Sequence, residues 1–88
     1  MGKVDIMLLA LRAPATTLMG FLAVATLTGK FIEVNASARD TVLSIKKRLE
    51  DLEGWPIADQ SLRTVTNQVL DDTDRLETVG ITPEAKNR

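Results

Sequence analysis

The fold of this chain is decided by the stretch TLTGK, residues 26–30. It separates two apolar runs that have the length and composition of β-strands. Glycine adopts positive φ at little cost, so a Gly-Lys pair between two such runs is typical of a hairpin turn. The sequence therefore predicts strands over residues 20–27 and 30–36, joined by a turn at Gly29.

A helix is predicted after the second of these strands. Asp40 or Thr41 is suited to cap its first turn, because short polar side chains accept hydrogen bonds from free backbone N–H groups. Gly54 ends the helix and Pro56 prevents its continuation. The apolar stripe has spacings of three, four and three residues and comprises Val42, Ile45, Leu49 and Leu52.

The remaining segments are shorter. Two brief strands are predicted at residues 62–66 and 68–70, followed by an acidic turn at residues 71–74. A single helical turn is predicted at residues 76–79, with Ile81 returning to the core. These segments extend the predicted sheet and close it over the helix.

The N-terminal segment has the pattern of one more strand. Val4, Ile6 and Leu8 share one face, while Asp5 lies on the other. Pro14 fixes its own φ and lacks a backbone donor, so the residues around it are predicted to form a linker. The chain therefore begins with a strand and a connection.

Composition narrows the class of protein. The 88 residues predict one domain, residues 1–88, and the net charge of −1 without a basic block argues against nucleic-acid binding. There is no cysteine and no histidine, which removes disulfides, the usual zinc sites and the commonest general base. The uncharged run at residues 13–29 is too short to span a membrane and contains Pro14 and Gly20. We expect a cytoplasmic protein that is not an enzyme and has no cofactor, no membrane contact and no small-molecule substrate.

From about residue 20 to residue 85, the chain resembles ubiquitin. The matching positions keep their order and spacing, and they are TLTGK, Asp40-Thr41, Glu53-Gly54, Pro56, Asp59-Gln60, Leu70-Asp71-Asp72, Leu76 and Ile81. The resemblance implies an α+β fold of the ubiquitin-like β-grasp type, in which a mixed sheet packs on one α-helix.

The resemblance also implies a last strand in the middle of the sheet, parallel to the strand at residues 20–27. Few residues follow Ile81, but residues 4–8 with Leu11-Arg12 resemble that last strand and its tail. We therefore predict a circular permutation in which residues 1–12 are the last strand and residues 13–19 the linker. The body then covers residues 20–85, and residues 86–88 are a tail. The alternative is a simple antiparallel hairpin between the N-terminal strand and residues 20–27.

Ubiquitin meets protein partners through three aliphatic side chains on its sheet. The resemblance places the first at Leu27 and, with residues 1–12 as the permuted last strand, the third near Met7. The central one corresponds to Arg63, with Val65 as the alternative because of an inserted residue nearby. These four residues are the candidate partner-binding surface.

The chain ends without the Gly-Gly pair that ubiquitin uses for conjugation. The predicted function is therefore a non-covalent protein-interaction module that is not competent for conjugation. The alternative is an engineered scaffold on the ubiquitin fold with no native ligand. The unusual strand order favours it, and so does the loss of most lysines that ubiquitin uses for chain building, of which the resemblance leaves Lys30 and Lys46.

Overall fold

The computed structural model describes residues 3–12 and 19–81 of the chain. This part contains four β-strands, one α-helix and two short 3₁₀ helices. In chain order these elements are β1 (Val4–Arg12), β2 (Met19–Thr26), β3 (Phe31–Ser37), α1 (Val42–Glu53), a 3₁₀ helix (Ile57–Asp59), β4 (Gln60–Arg63) and a second 3₁₀ helix (Glu77–Val79).

The four strands form one mixed sheet in the order β3-β2-β1-β4. The predicted hairpin at TLTGK is confirmed: β2 and β3 are antiparallel, and Gly29 turns the chain with φ of 90°. The Gly29 N–H donates to the Thr26 carbonyl oxygen at 3.0 Å, which closes the turn. With α1 packed on one face, the sheet has the α+β, β-grasp architecture that the sequence predicted.

The predicted direction of the N-terminal strand is wrong. β1 does lie in the middle of the sheet, between β2 and β4, but it runs antiparallel to β2 and parallel to β4. The circular permutation required a parallel β1–β2 pair, so the hairpin alternative describes this chain. The antiparallel arrangement places Arg12 beside Phe21. A parallel arrangement would have placed the end of β1 and the start of β2 at opposite ends of the strands, about 20 Å apart.

A bulge in β1 decides which of its side chains reach the core. The register with β2 shifts between Leu8 and Ala10, which leaves Leu9 as the additional residue. In a regular strand, Leu8 and Leu11 would point to opposite faces. The shift turns both of them inward, and both are fully buried.

Helix α1 has the predicted ends. Thr41 Oγ1 accepts a hydrogen bond from the Ser44 N–H at 3.2 Å, and Gly54 ends the helix with φ of 77°. Three of the four stripe residues are buried, but Leu52 is 57% exposed, so its predicted place in the core is wrong. Leu52 lies in the last turn, beside Val34 and Asn35 of the edge strand β3, where no further element covers it within the described residues.

The hydrophobic core lies between the sheet and α1. It draws on all four strands, the helix and the segment after β4, and it comprises Ile6, Leu8, Leu11, Leu22, Val24, Val34, Ala36, Ala38, Val42, Ile45, Leu49, Leu62, Leu70 and Leu76. Three buried residues come from β1, so the N-terminal strand is an integral part of the domain.

The region around β4 differs from the prediction in two respects. The strand predicted at residues 62–66 is instead β4 at Gln60–Arg63, and Val65 and Thr66 form a turn. The predicted strand at residues 68–70 is reduced to an isolated bridge between Val69 and Arg63. The acidic turn at residues 71–74 is present, because the Asp74 N–H donates to the Asp71 carbonyl oxygen. Ile81 packs against the core as predicted. Residues 13–18 of the predicted linker and the predicted tail at residues 86–88 lie outside the described residues.

A disulfide test distinguishes the two strand directions. With Arg12→Cys and Phe21→Cys introduced together, mild oxidation is expected to form a disulfide, because Cα atoms of paired residues lie about 5 Å apart. The control pair is Met7→Cys with Phe21→Cys. Phe21 is four residues from the partner of Met7, about 13 Å along the strand, so the control is expected to stay reduced. Mass spectrometry without reductant reads the result, and a disulfide in the control pair alone would contradict the antiparallel arrangement.

Candidate functional site

The outer face of the sheet, opposite α1, presents a row of side chains that crosses all four strands. Residues alternate between faces along a strand, so the neighbours of the buried Ile6 and Leu62 point outward. The strand registers place the four members of this row side by side, in the order Phe31 on β3, Ala25 on β2, Met7 on β1 and Arg63 on β4. We call this set the cross-sheet row.

A shallow cleft of about 180 Å³ lies over one end of the cross-sheet row. Met7, Leu27 and Arg63 all line it, so the structure brings together three of the four residues that the sequence singled out. Leu27 stands in the β2–β3 turn and is 80% exposed. The cleft therefore combines an exposed aliphatic side chain, a flexible thioether and a guanidinium.

The turn after β4 holds Arg63 in position at the cleft. Its Nη1 donates to Asn67 Oδ1 at 2.9 Å, and its Nη2 lies 3.5 Å from Asp5 Oδ1. Asn67 has φ of 70°, a left-handed conformation that asparagine adopts more readily than most residues. Nε of Arg63 has no hydrogen-bond partner within the described residues. The guanidinium is thus fixed, but only part of its donor capacity is used.

Val65 is not part of this cleft. It is exposed in the turn after β4 and lines a separate cleft of about 290 Å³ with Leu9, Ala10 and Val79, among others. The inserted residue near Val65 left two candidates for the centre of the surface. The structure places Arg63 beside Met7, and Val65 away from it.

The sequence reasoning missed two aromatic residues on the same face. Phe31 is 73% exposed and belongs to the cross-sheet row, while Phe21 is exposed at the opposite end of β2. Ala23 and Ala25 lie between them on β2 and are partly buried. The alternation of faces along a strand could have identified both aromatic residues. Leu22 and Val24 point inward, so Phe21 must point outward, and the same alternation on β3 turns Phe31 outward.

The chemistry of this face is that of a contact surface. Apolar side chains dominate the cleft, and the charged groups in it are the paired Asp5 and Arg63. Within residues 3–12 and 19–81, no group of three or more acidic, cysteine or histidine residues is arranged to hold a metal ion. In the same part of the chain, no helix combines the length and apolar character needed to cross a membrane.

The mixed sheet, the single helix and the outward-facing cleft define an α+β domain of the β-grasp class. A sequence model described as "Ubiquitin family" matches residues 22–86. Because that match covers most of the chain, the protein belongs to the ubiquitin family. Domains of this family generally act as modifiers or interaction modules rather than as enzymes.

A curated relative supports the same assignment. The chain is similar to "Ubiquitin-like protein 1" of Schizosaccharomyces pombe, with 43% identity over 51 residues. The match covers 58% of this chain and 65% of that relative, a little under two thirds of its length.

Proposed function

We propose that this protein is a non-covalent interaction module that binds protein partners through the outer face of its sheet. The observation that carries the proposal is the arrangement of Met7, Leu27 and Arg63 around one cleft. Family membership supports a role in protein contacts, and the structure supplies a surface on which such contacts could form.

The exposure of Leu27 supports its role as the main anchor. Transferring a leucine side chain from water into an apolar contact contributes about 1.5–3 kcal/mol. Leu27 is 80% exposed at the tip of the hairpin, so a partner would capture most of that energy. Partly buried Met7 adds a polarizable side chain that adapts to differently shaped partners.

The non-covalent character is supported by the position of β1. The resemblance places the strand that leads to the conjugating tail between β2 and β4, and in this chain β1 occupies that position. Ile6, Leu8 and Leu11 fill the core beneath it. A segment following Ile81 would have to displace these three buried side chains to enter the sheet there.

The proposal predicts that Leu27→Ala weakens binding about 5- to 30-fold, because it removes most of the anchor's apolar surface. The measurement is isothermal titration calorimetry of the full chain against a panel of ubiquitin-receptor domains. The matched control is Leu52→Ala, which removes an equally large side chain that is 57% exposed on α1, away from the outer face of the sheet.

The two possible failures of this experiment have different meanings. Equal losses for Leu27→Ala and Leu52→Ala would show that the outer face is not the binding surface. Absence of binding to every receptor domain would remove the support for an interaction module and favour the alternative of an engineered scaffold without a native ligand.

A further inference from the structure

We propose that the free edge of β3 is a pairing surface for a second copy of this chain, and that the charge of Glu33 opposes this pairing. The two β3 strands run antiparallel in the pair and join two sheets into one. This inference goes beyond the proposed function, because it concerns the edge of the sheet and not the cleft around Met7, Leu27 and Arg63.

Two contacts show which backbone groups of β3 point away from β2. The Ser37 N–H donates to Asp40 Oδ2 at 2.8 Å, and the Asn35 carbonyl oxygen accepts from Arg48 Nη1 at 3.0 Å. The direction of backbone groups alternates along an antiparallel strand. Every odd-numbered residue of β3 therefore presents its N–H and C=O to the free edge.

The ion pair of Asp40 and Arg48 covers only one end of this edge. Arg48 Nη1 lies 2.6 Å from Asp40 Oδ2, and together the two side chains occupy the Ser37 N–H and the Asn35 carbonyl oxygen. The Asn35 N–H and both backbone groups of Glu33 have no strand partner in the described part of the chain. Such open groups on an edge strand are a template for another strand.

Two β3 strands are self-complementary when the two-fold axis between them passes beside Glu33. Glu33 of each copy then exchanges both backbone hydrogen bonds with Glu33 of the other copy. The Asn35 N–H of each copy donates to the Phe31 carbonyl oxygen of the other. A carbonyl oxygen has two lone pairs, so the Asn35 oxygen keeps its bond from Arg48 in this register.

The last turn of α1 fits the same register. A cleft of about 270 Å³ lies beside the edge and is lined by Val34 and Leu52, among others, and Leu52 is 57% exposed. In the two-fold register, Val34 lies opposite Ile32 of the second copy. The side chain of Ile32 is on the helix side of the sheet and is only partly buried. Pairing therefore brings an isoleucine towards Leu52 and buries the stripe residue that a single chain leaves exposed.

Glu33 makes this pairing weak in the unmodified chain. Its exposed side chain lies on the outer face, opposite Ala23 of β2, and it takes part in none of the ion pairs among the described residues. In the proposed register, the Cα atoms of the two Glu33 residues lie about 5.5 Å apart. Like charges directly opposite each other on one face destabilise a strand pair. Natural edge strands commonly use charged side chains to limit such pairing.

The test is charge complementation between two forms of the chain. Isotope-labelled unmodified chain is titrated with unlabelled Glu33→Lys chain and followed by amide NMR. Lysine opposite glutamate replaces repulsion by attraction, so this mixed pair is expected to associate about 3- to 20-fold more tightly than the unmodified chain with itself. The amide signals of residues 31–35 are expected to shift. Glu33→Lys with itself is expected to associate as weakly as the unmodified chain, because two lysines also repel.

Glu50→Lys is the matched control. Glu50 is exposed and lies two residues before Leu52 on α1, so its side chain points away from the cleft beside β3. Both substitutions change the net charge of the chain by the same amount. Equal association of Glu50→Lys and Glu33→Lys with the labelled chain would overturn the proposal, because general attraction would then explain both.

Two other results would also overturn it. The first is no association of the mixed pair at about 1 mM protein. The second is a set of shifts confined to Met7, Leu27 and Arg63, which would place the contact on the outer face. Neither result bears on the loss of receptor binding expected for Leu27→Ala, so the proposed function is tested separately.

Discussion

Replacing Leu8 by alanine is expected to lower the free energy of unfolding by about 2–5 kcal/mol. Leu8 is 1% exposed, lies opposite Val24 of β2 and belongs to the core between the sheet and α1. The substitution removes three carbon atoms from a close-packed site, and the surrounding side chains can only partly collapse into the space. Urea denaturation followed by the fluorescence of Trp55 measures the change.

The adjacent residue provides the control for this prediction. Leu9 is the additional residue of the β1 bulge and is 36% exposed, so Leu9→Ala is expected to cost less than about 1 kcal/mol. The two substitutions change the same atoms at neighbouring positions of one strand. Similar losses for both, or a larger loss for Leu9→Ala, would show that β1 does not occupy the centre of the sheet in the described register.

The second large effect is expected for Gln60→Glu, which should lower stability by about 3 kcal/mol or more at pH 7. Gln60 is 4% exposed, and its Nε2 donates to the carbonyl oxygens of Lys46 at 2.8 Å and Trp55 at 3.1 Å. An ionised carboxylate has no proton to donate and would face two carbonyl oxygens. Its own burial adds a desolvation cost.

The effect of Gln60→Glu is expected to shrink on acidification. Burial beside two carbonyl oxygens raises the pKa of the introduced carboxyl in the folded state above its unfolded value of about 4.3. Below pH 4.3 or so the carboxyl is protonated in both the folded and the unfolded state. The stability of the variant is then closest to that of the unmodified protein. As pH rises, the unfolded chain loses its proton first, so the relative stability of the variant falls until the folded pKa is reached.

Gln68→Glu is the matched control for this second prediction. Gln68 is exposed, and its hydrogen bonds in the structure are made by its backbone. We expect a change within about 0.5 kcal/mol of the unmodified protein. Urea denaturation of both variants and the unmodified chain at pH 7 and pH 4 gives the comparison. Equal stability of the two variants at pH 7 would mean that the Gln60 side chain does not make the two described bonds.

Part of the candidate surface was predicted through the resemblance to ubiquitin, which placed Leu27 in the hairpin. Met7 was assigned through the predicted permutation, which is wrong, and it still reaches the cleft because β1 lies in the middle of the sheet. The choice between Arg63 and Val65 could not be made, because it depends on where β4 ends and the turn begins. The role of Asp5 was also hidden, since it is distant from Arg63 in sequence and meets it only through the parallel pairing of β1 with β4.

The sequence by itself determined the hairpin at Gly29, helix α1 with its caps and the inward faces of the strands. These features are local, because they depend on the φ of single residues, on hydrogen bonds within a turn and on the period of apolar side chains. Only the tertiary structure decided the direction of β1 and the bulge at Leu9. An alternating apolar pattern is the same in both directions, so it specifies which residues are buried and not which way the strand runs. The direction of β1 is defined by its pairing with β2 and β4. This pairing also brings Met7, Leu27 and Arg63 to one cleft.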